Sequence, residues 1–248
     1  AGPITKHESL FSFFFGGTSA EMTRQAVLYA VADDSVSAIM LKIDSPGGHV
    51  AGVQSLADTV FRARKSKAIH AHIDDLAASA AYWIGSQANT ITANSTAEIG
   101  SIGTIAVVHD LSGAASAEGI KVHVITSRGA ETHKGAGVPG TEVTDVQLEE
   151  LQQRVDDINA FFLRSVRRGR LLIGGKLDAV ADGRVHIAGE AKKLGLIDQV
   201  MSFDAALRHV QGAIRSARAQ REARVQRVTE KRAELQKYLQ RVQARRRN

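Results

Sequence analysis

Short apolar runs alternate with amphipathic stretches along the first 200 residues. The apolar runs predict strands, and they are SAIMLKID (37–44), AIHAHI (68–73), TITA (90–93), TIAVVHD (104–110) and KVHVIT (121–126). The stretches between them predict helices over 18–32, about 50–65, the residues after Ser79 and about 145–168. Alternating strands and helices predict an α/β fold with a largely parallel sheet.

Local signals place several element boundaries. Thr18 and Glu21 form a capping-box pattern at the start of the first helix. The helix from about 145 to 168 has apolar residues at helical spacing, and Gly169 is a plausible stop for it. These apolar residues are Val155, Ile158, Phe162 and Val166. The sequences SPGG (45–48) and EIGSIG (98–103) predict turns, and the segment 177–200 returns to the body.

The last part of the chain has a different pattern. From about Asp204 it is rich in Ala, Arg, Gln and Glu, which predicts one long helix. Apolar residues follow a 3,4 spacing that Arg232 interrupts, which indicates a partial coiled-coil seam. They are Val225, Val228, Leu235, Leu239 and Val242. We therefore divide the chain into a body, 1–208, and a helical extension, 209–248.

Composition changes this picture in two ways. The net charge is +6, but residues 215–248 contain 12 Lys or Arg and 3 Asp or Glu, so the body is mildly acidic. The extension could contact phosphates or an acidic protein. Its single aromatic residue is Tyr238, and this scarcity of aromatic rings disfavours base stacking. There is no cysteine, which excludes disulfides and thiolate chemistry. No apolar run is long enough to span a membrane and no secretory leader is present, so we expect a cytoplasmic protein.

Two residues far apart in the sequence suggest nucleophilic chemistry. Ser79 follows an apolar run and opens a helix, where positive partial charge favours an oxyanion, although by position alone it is more often a capping serine. Lys134 lies in a glycine-rich loop, and Lys176 is a weaker competitor. A lysine can activate a serine only where burial lowers its pKa, and most lysines are solvated surface groups.

Other signals are weak when taken alone. The glycines of DSPGGHV (44–50) could point backbone N–H groups at an oxyanion. A Ser-His-Asp triad remains open, but no local spacing links His49, His109 or His133 to Ser79. No zinc-binding histidine pair and no phosphate-binding loop motif occurs, so we expect no metal and no cofactor.

Five ordered segments together resemble the signal peptide peptidase A family of serine proteases. They are IMLKIDSPGGHVAG, AASAAYWIGSQA, EIGSIGT, the loop carrying Lys134, and GRVHIAGEAKKLGLIDQV. The resemblance implies a fold like that of Clp protease and crotonase, built from ββα units. It implies a Ser79–Lys134 dyad with Ser101 holding the amine, and an oxyanion hole at the N–H groups of Gly48 and Ala80.

The same resemblance implies that peptide substrate lies extended beside the strand that follows the SPGG turn, which makes Gly47 and His49 substrate-binding residues. The chain starts inside what resembles the family's first strand and has no membrane anchor. Both features favour the phage branch, the prohead proteases that cleave scaffold or capsid proteins, or a trimmed chain. A bacterial enzyme degrading membrane-derived peptides is the alternative.

Two other classes of function are also open. One is a crotonase-like acyl-CoA enzyme, and the other is a non-catalytic assembly or nucleic-acid-binding protein that acts through the extension. We expect self-association, because the apolar cluster Phe11–Phe15 and the seam of the extension both offer apolar surface and related enzymes form rings.

Overall fold

The computed structural model describes residues 2–7, 16–171 and 176–245, with the side chains of the last helix described through residue 237. A six-stranded sheet lies at its centre. Its strands are β3 (Ala38–Ser45), β4 (Ala68–Ala78), β5 (Thr90–Ala93), β6 (Glu98–Gly100), β7 (Val185–Ile187) and β8 (Gln199–Val200). Two short strands, β1 (Ile4–Thr5) and β2 (Thr18–Ser19), form a separate parallel pair.

Strand β4 is the longest and organises the sheet. It pairs with β3 along one edge, and with β5 and then β6 along the other. β8 extends the sheet beyond β5, and every pairing is parallel except that of β6 with β7. The predicted α/β class with a mostly parallel sheet is therefore confirmed.

Seven helices accompany these strands in the described part of the chain. They are α1 (Ala20–Ala32), α2 (Val53–Ala63), α3 (Ala80–Gly85), α4 (Ser112–Ala117), α5 (Asp145–Arg170), α6 (Ala188–Lys193) and α7 (Phe203–Arg245). The core lies where α2, α3 and α5 cover the sheet. The rings of Trp83 and Phe162 stack there at 4.6 Å, and the Gln87 amide donates to the Ser165 carbonyl over 2.9 Å.

Helix α5 does not stop at Gly169, as predicted, but ends at Arg170. Gly169 instead allows close packing: a Cβ there would lie 2.1 Å from the Ser86 carbonyl oxygen. The N-terminus of α5 carries a capping box that the sequence analysis missed. Thr144 accepts from the Gln147 N–H, and the Gln147 side chain accepts from the Thr144 N–H.

The predicted start of the first helix is wrong by one residue. Thr18 lies in β2, where it is opposite Ile4, and Ser19 caps α1 by accepting from the Met22 N–H over 3.2 Å. Strand β2 continues through Ser19, which is opposite Thr5, so the helix begins directly after Ser19 and this residue is its cap.

Two predicted strands and one predicted turn also differ. The segments 104–110 and 120–126 contain no strand, and their apolar side chains are largely exposed, with Ile105 at 88% and Ile125 at 93% exposure. A strand needs a neighbour to satisfy its backbone groups, and the described residues provide none here. Conversely, Glu98–Gly100 of the predicted EIGSIG turn forms β6, because it pairs with both β4 and β7.

The long C-terminal helix is confirmed as α7, which is continuous from Phe203 to Arg245. The predicted boundary between residues 208 and 209 falls inside this helix and stays a prediction. No helix in the described ranges is long and apolar enough to cross a membrane. The phenylalanine cluster at 11–15 lies outside the described residues.

Candidate active site

Ser79 lies at the junction of β4 and α3 in a strained backbone conformation, with φ 52° and ψ −123°. A non-glycine residue at such a φ costs about 1–3 kcal/mol, so its surroundings must hold it. The Ser79 N–H donates to the Gly100 carbonyl and the Ser79 carbonyl accepts from the Trp83 N–H, both over 2.9 Å. A sharp strand-to-helix turn of this kind presents a serine hydroxyl at the end of a sheet.

The turn at SPGG touches this serine. Gly47 has φ 99°, and a Cβ there would lie 2.8 Å from both the Ala78 carbonyl oxygen and the Ser79 Cβ. It would also lie 3.0 Å from the Ala80 nitrogen. Glycine is therefore required for the turn to approach the start of α3 this closely.

The direction of the Gly48 N–H follows from its neighbours. Ile4 donates to the Gly47 carbonyl over 2.7 Å and accepts from the His49 N–H over 2.9 Å. Because successive backbone groups of an extended chain alternate in direction, the Gly48 N–H points away from Ile4. The N–H of Ala80, the first residue of α3, has no acceptor within its own helix. The N–H groups of Gly48 and Ala80 are thus not used by Ile4 or by α3, and their role as an oxyanion hole stays a prediction.

Ser101 lies one residue beyond the carbonyl that binds Ser79. It also has a positive φ, 48°, and its N–H donates to the Arg184 carbonyl over 2.7 Å. At Gly100 a Cβ would lie 2.6 Å from that same carbonyl oxygen. The β6–β7 pairing therefore fixes Ser101 next to the Ser79 turn, and the structure brings these predicted residues together.

Lys134 is not part of this arrangement. Its side chain is exposed, and its loop packs on the start of α5, where His133 lies 3.1 Å from Glu150. Lys134 and Leu151 line a cavity of about 360 Å³ between this loop and α5. Among the described residues, no hydrogen bond or ion pair involves the Lys134 ammonium.

The other sequence candidates lie outside the Ser79 turn or at its edge. His49 is exposed directly after Gly48, and Lys176 and His109 are exposed elsewhere. The Tyr82 hydroxyl donates to the Leu196 carbonyl over 2.8 Å, and burial raises the pKa of Tyr82, so this phenol stays neutral. In the described ranges, no cluster of His, Cys, Asp and Glu is arranged to hold a metal ion.

The structure adds two residues that the sequence analysis missed. Ser45 is buried, and its hydroxyl donates to the Gly2 carbonyl over 2.7 Å and accepts from the Gly47 N–H over 3.2 Å, which fixes the glycine turn. His186 packs its ring near Gly100, and its buried Nε2 has no hydrogen bond in the described structure. Ser45 was visible as the first residue of SPGG, whereas only strand pairing reveals His186.

Comparison with known proteins identifies the family of the chain. The sequence profile of Peptidase family S49 matches residues 62–215, which include Ser79, Ser101 and Lys134. A protein of Methanocaldococcus jannaschii named as a protease is 31% identical over 179 residues, which are 72% of this chain and 57% of that protein. Capsid assembly protease C of Escherichia phage lambda is 30% identical over 187 residues, 75% of this chain and 41% of that protein.

Protease 4 of Salmonella typhi is 29% identical over 194 residues, 77% of this chain and 30% of that protein. The chain thus spans roughly half or less of the length of these relatives. The matched profile covers more than half of the chain and includes the strained serine turn and the elements that hold it. On this evidence the α/β fold is of the Clp protease and crotonase type, and the chain belongs to Peptidase family S49.

Proposed function

We propose that this chain is a serine endopeptidase whose nucleophile is Ser79. The observation that carries the proposal is the strained turn at Ser79, held against the glycine pair of the SPGG turn. Strain of this kind is maintained where a hydroxyl must be presented to a substrate. Membership of Peptidase family S49 supports the same chemistry.

In the proposed mechanism, the Ser79 Oγ attacks the carbonyl carbon of a peptide bond while a base removes its proton. The N–H groups of Gly48 and Ala80 stabilise the negative charge that develops on the carbonyl oxygen. The proton then passes to the leaving amine as the C–N bond breaks, and water hydrolyses the acyl-enzyme. Lys134 is the proposed base, and the Ser101 hydroxyl orients its amine.

Among the described residues of one chain, no hydrogen bond or ion pair joins the exposed Lys134 ammonium to Ser79 or Ser101, so we infer a second source of the lysine. The segments flanking the Lys134 loop expose apolar side chains, among them Ile105 and Ile125. They also have no strand partner among the residues that the structure describes. We propose that these segments pair with another copy of the chain, and that each Ser79 receives Lys134 from that neighbour. Burial between copies would also supply the desolvation that a lysine base requires.

The proposed substrate is a polypeptide in extended form. The Gly47–His49 backbone is bonded to Ile4 on one side, so the Gly48 side facing Ser79 is free to pair with a substrate strand. Gly47 and His49 then flank the scissile bond. A side chain on Gly47 would fill this space, which agrees with the need for glycine.

For the biological role, we propose cleavage of scaffold or capsid proteins during phage head assembly. Capsid assembly protease C of phage lambda and the head–tail preconnector protein of Enterobacteria phage P21 support it, with 30% and 29% identity. Archaeal and bacterial relatives are equally similar. Degradation of membrane-derived peptides by a bacterial enzyme is therefore the second candidate. An acyl-CoA activity is disfavoured because it gives no role to the strained serine.

A fluorophosphonate probe tests the nucleophile directly. The probe should label the wild-type chain at Ser79 and leave Ser79→Ala unlabelled, because only an activated hydroxyl reacts. Ser116→Ala, which removes an exposed hydroxyl on α4, is the matched control and should label normally. Labelling of Ser79→Ala at the wild-type rate would show that the nucleophile is another residue.

A further inference from the structure

Most of α7 lies beyond the body of the protein. Ala206 and Val210 are buried and Ile214 is half-buried, but every described side chain from Arg215 to Lys237 is exposed. This exposed part is about 35 Å long. A lone helix of this kind is marginal in water, so a packing partner would stabilise it.

The apolar face of α7 does not end where the body ends. At 100° per residue, the face that contains the buried Ala206 and Val210 continues through Val225, Val228 and Leu235. These three side chains are 59%, 47% and 58% exposed. We call these three residues, together with Arg221 and Arg232, which lie between them on the same face, the α7 seam.

Charge is distributed unevenly around this helix. Besides the two arginines within the α7 seam, three further basic residues lie along its borders: Arg218, Arg224 and Lys231. The three acidic residues of this part of the helix lie on the opposite half, about 100° or more from the centre of the seam. They are Glu222, Glu230 and Glu234. The seam therefore presents apolar and positively charged groups together, with no acidic group.

The seam continues into an open groove beside the body. A cavity of about 990 Å³ lies between α7 and the N-terminal ends of the strands. Val210, Ile214 and Val225 line it from the helix, and Val36 and Ala68 line it from the body. Each side also contributes both charges: Arg221 and the pair of Arg218 with Glu222 on the helix, and Lys67 with Asp34 on the body. A partner lying along the seam would therefore also contact the body.

The apolar and basic side chains of the α7 seam together favour one class of binding partner over others. A second copy bound through the same face would place arginine against arginine, and Glu222, the glutamate nearest the seam, is already paired with Arg218. A membrane surface would have to accept Arg221 and Arg232 in the middle of the inserted apolar face. Nucleic acid would neutralise the arginines but leave the apolar side chains in water. We propose that the α7 seam binds an acidic amphipathic helix of another protein, whose Asp or Glu side chains meet Arg221 and Arg232.

The test uses the full chain carrying Ser79→Ala, so that the probe is not cleaved, and fluorescence anisotropy at physiological salt. The probe is a 28-residue peptide with leucine at heptad positions a and d, glutamate at e and g, and glutamate at two core positions eleven residues apart. One comparison peptide has lysine in place of every glutamate, and another has serine in place of every leucine. The acidic amphipathic peptide should bind at least about tenfold more tightly than either.

Paired variants place the binding site. Arg221→Glu with Arg232→Glu should weaken binding of the acidic peptide at least about tenfold. Arg215→Glu with Lys237→Glu makes the same charge change away from the seam and should weaken binding of the acidic peptide by less than about threefold. Circular dichroism checks that α7 stays helical in both variants. The relative affinities of the three peptides for the chain with an unaltered α7 test the proposal without these variants.

Several results would overturn the proposal. Equal binding of the serine-substituted acidic peptide, or an equal loss in both double variants, would show attraction by charge alone. Tighter binding of duplex DNA or of phosphatidylserine vesicles, lost only in the seam variant, would assign the seam to those partners. A dimer that dissociates only in the seam variant would assign it to a second copy. None of these results depends on proteolysis.

Discussion

At the scale of single residues, the candidate site depends on positions where a side chain would collide with the backbone. Gly47 lies against Ser79 and Ala78, and Gly100 lies against the Arg184 carbonyl. Ser79 and Ser101, by contrast, keep side chains despite a positive φ. Both serines therefore occupy a backbone conformation that glycine adopts more readily, which the proposed roles of their hydroxyls would explain.

Gly47→Ala should lower kcat by about 100-fold on a peptide substrate. Its Cβ would push the SPGG turn away from Ser79, and a displacement of about 1 Å at a reacting group has an effect of this size. The rate of fluorophosphonate labelling at Ser79 should fall as well, and this second measurement does not require a known substrate.

Gly189→Ala is the control for this change, because nothing lies within 4 Å of a Cβ at that position. It should leave the labelling rate unchanged. A Gly47→Ala enzyme that labels at the wild-type rate would mean that the turn is not part of the reacting site.

At the scale of elements, the first turn of α7 is anchored on the sheet by an aromatic and ionic cluster. The Phe203 ring lies edge-on to His72 at 5.4 Å and beneath the Lys42 ammonium at 5.0 Å. Lys42 pairs with Asp74 over 2.7 Å, and the His72 Nδ1 is 2.8 Å from the Thr92 hydroxyl. His72 is fully buried, so protonating it would place a charge under the start of α7.

Stability should therefore fall as the pH drops from 7 to 5. Burial lowers the pKa of His72 below its usual 6.5, although the nearby Asp74 opposes this in part. Burial and the neighbouring His209 lower the pKa of His70 in the same way. The unfolded chain then binds more protons below about pH 6.5, which favours unfolding. Thermal melts at pH 7, 6 and 5 should show a decreasing Tm.

His72→Gln should reduce this pH dependence, because glutamine does not titrate. His123→Gln removes an exposed imidazole and should leave the dependence unchanged. The carboxyl group of Glu21 does not add to this pH dependence. Hydrogen bonds from Arg24 lower its pKa to about 2, so the stability that Glu21 contributes is lost only below this pH range. An unchanged slope in His72→Gln would exclude this histidine as the cause.

At the scale of the whole molecule, the chain has apolar surface in the region that carries its proposed base. Ile105, Val107 and Ile125 are each more than 70% exposed. They flank the Lys134 loop, which lies on α5 and away from Ser79. Several exposed apolar side chains in one region are typical of an interface between copies, as we propose for this one.

Mixing two inactive variants tests whether the base comes from a neighbour. Ser79→Ala and Lys134→Ala should each lose nearly all peptidase activity, since residues that act as a unit are each indispensable. When they are mixed in equal amounts and allowed to reassemble, about a quarter of the sites combine an intact serine with a neighbour's intact lysine. Activity should recover to about that fraction.

A mixture that stays inactive, although sedimentation shows mixed assemblies, would place both residues of the dyad in one chain. A chain that sediments as a 26.6 kDa monomer at high concentration while active would contradict the assembly itself. Ile105→Asp with Ile125→Asp should weaken assembly and activity together.

Periodicity along the sequence predicts much of this structure, because local patterns determine which segments can form a helix or a strand. The strands at β3, β4 and β5, the helices α2 and α5, and the opening of a helix directly after Ser79 all follow from spacing and from glycine turns. Residue type marked Ser79 and the glycine turn only weakly, and the family resemblance joined Ser79, Gly47 and Gly48 into one candidate site.

Pairing and close packing, in contrast, are decided only by tertiary structure. Ser19 rather than Thr18 caps α1 because the pairing of β2 with β1 continues through Ser19, and Gly169 lies inside α5, where it lets that helix approach the Ser86 carbonyl. The apolar segments flanking Lys134 have strand-like sequences but are not paired with any residue that the structure describes. A strand is stabilised by a neighbour that may be distant in sequence or in another chain, so its own residues cannot specify whether it forms.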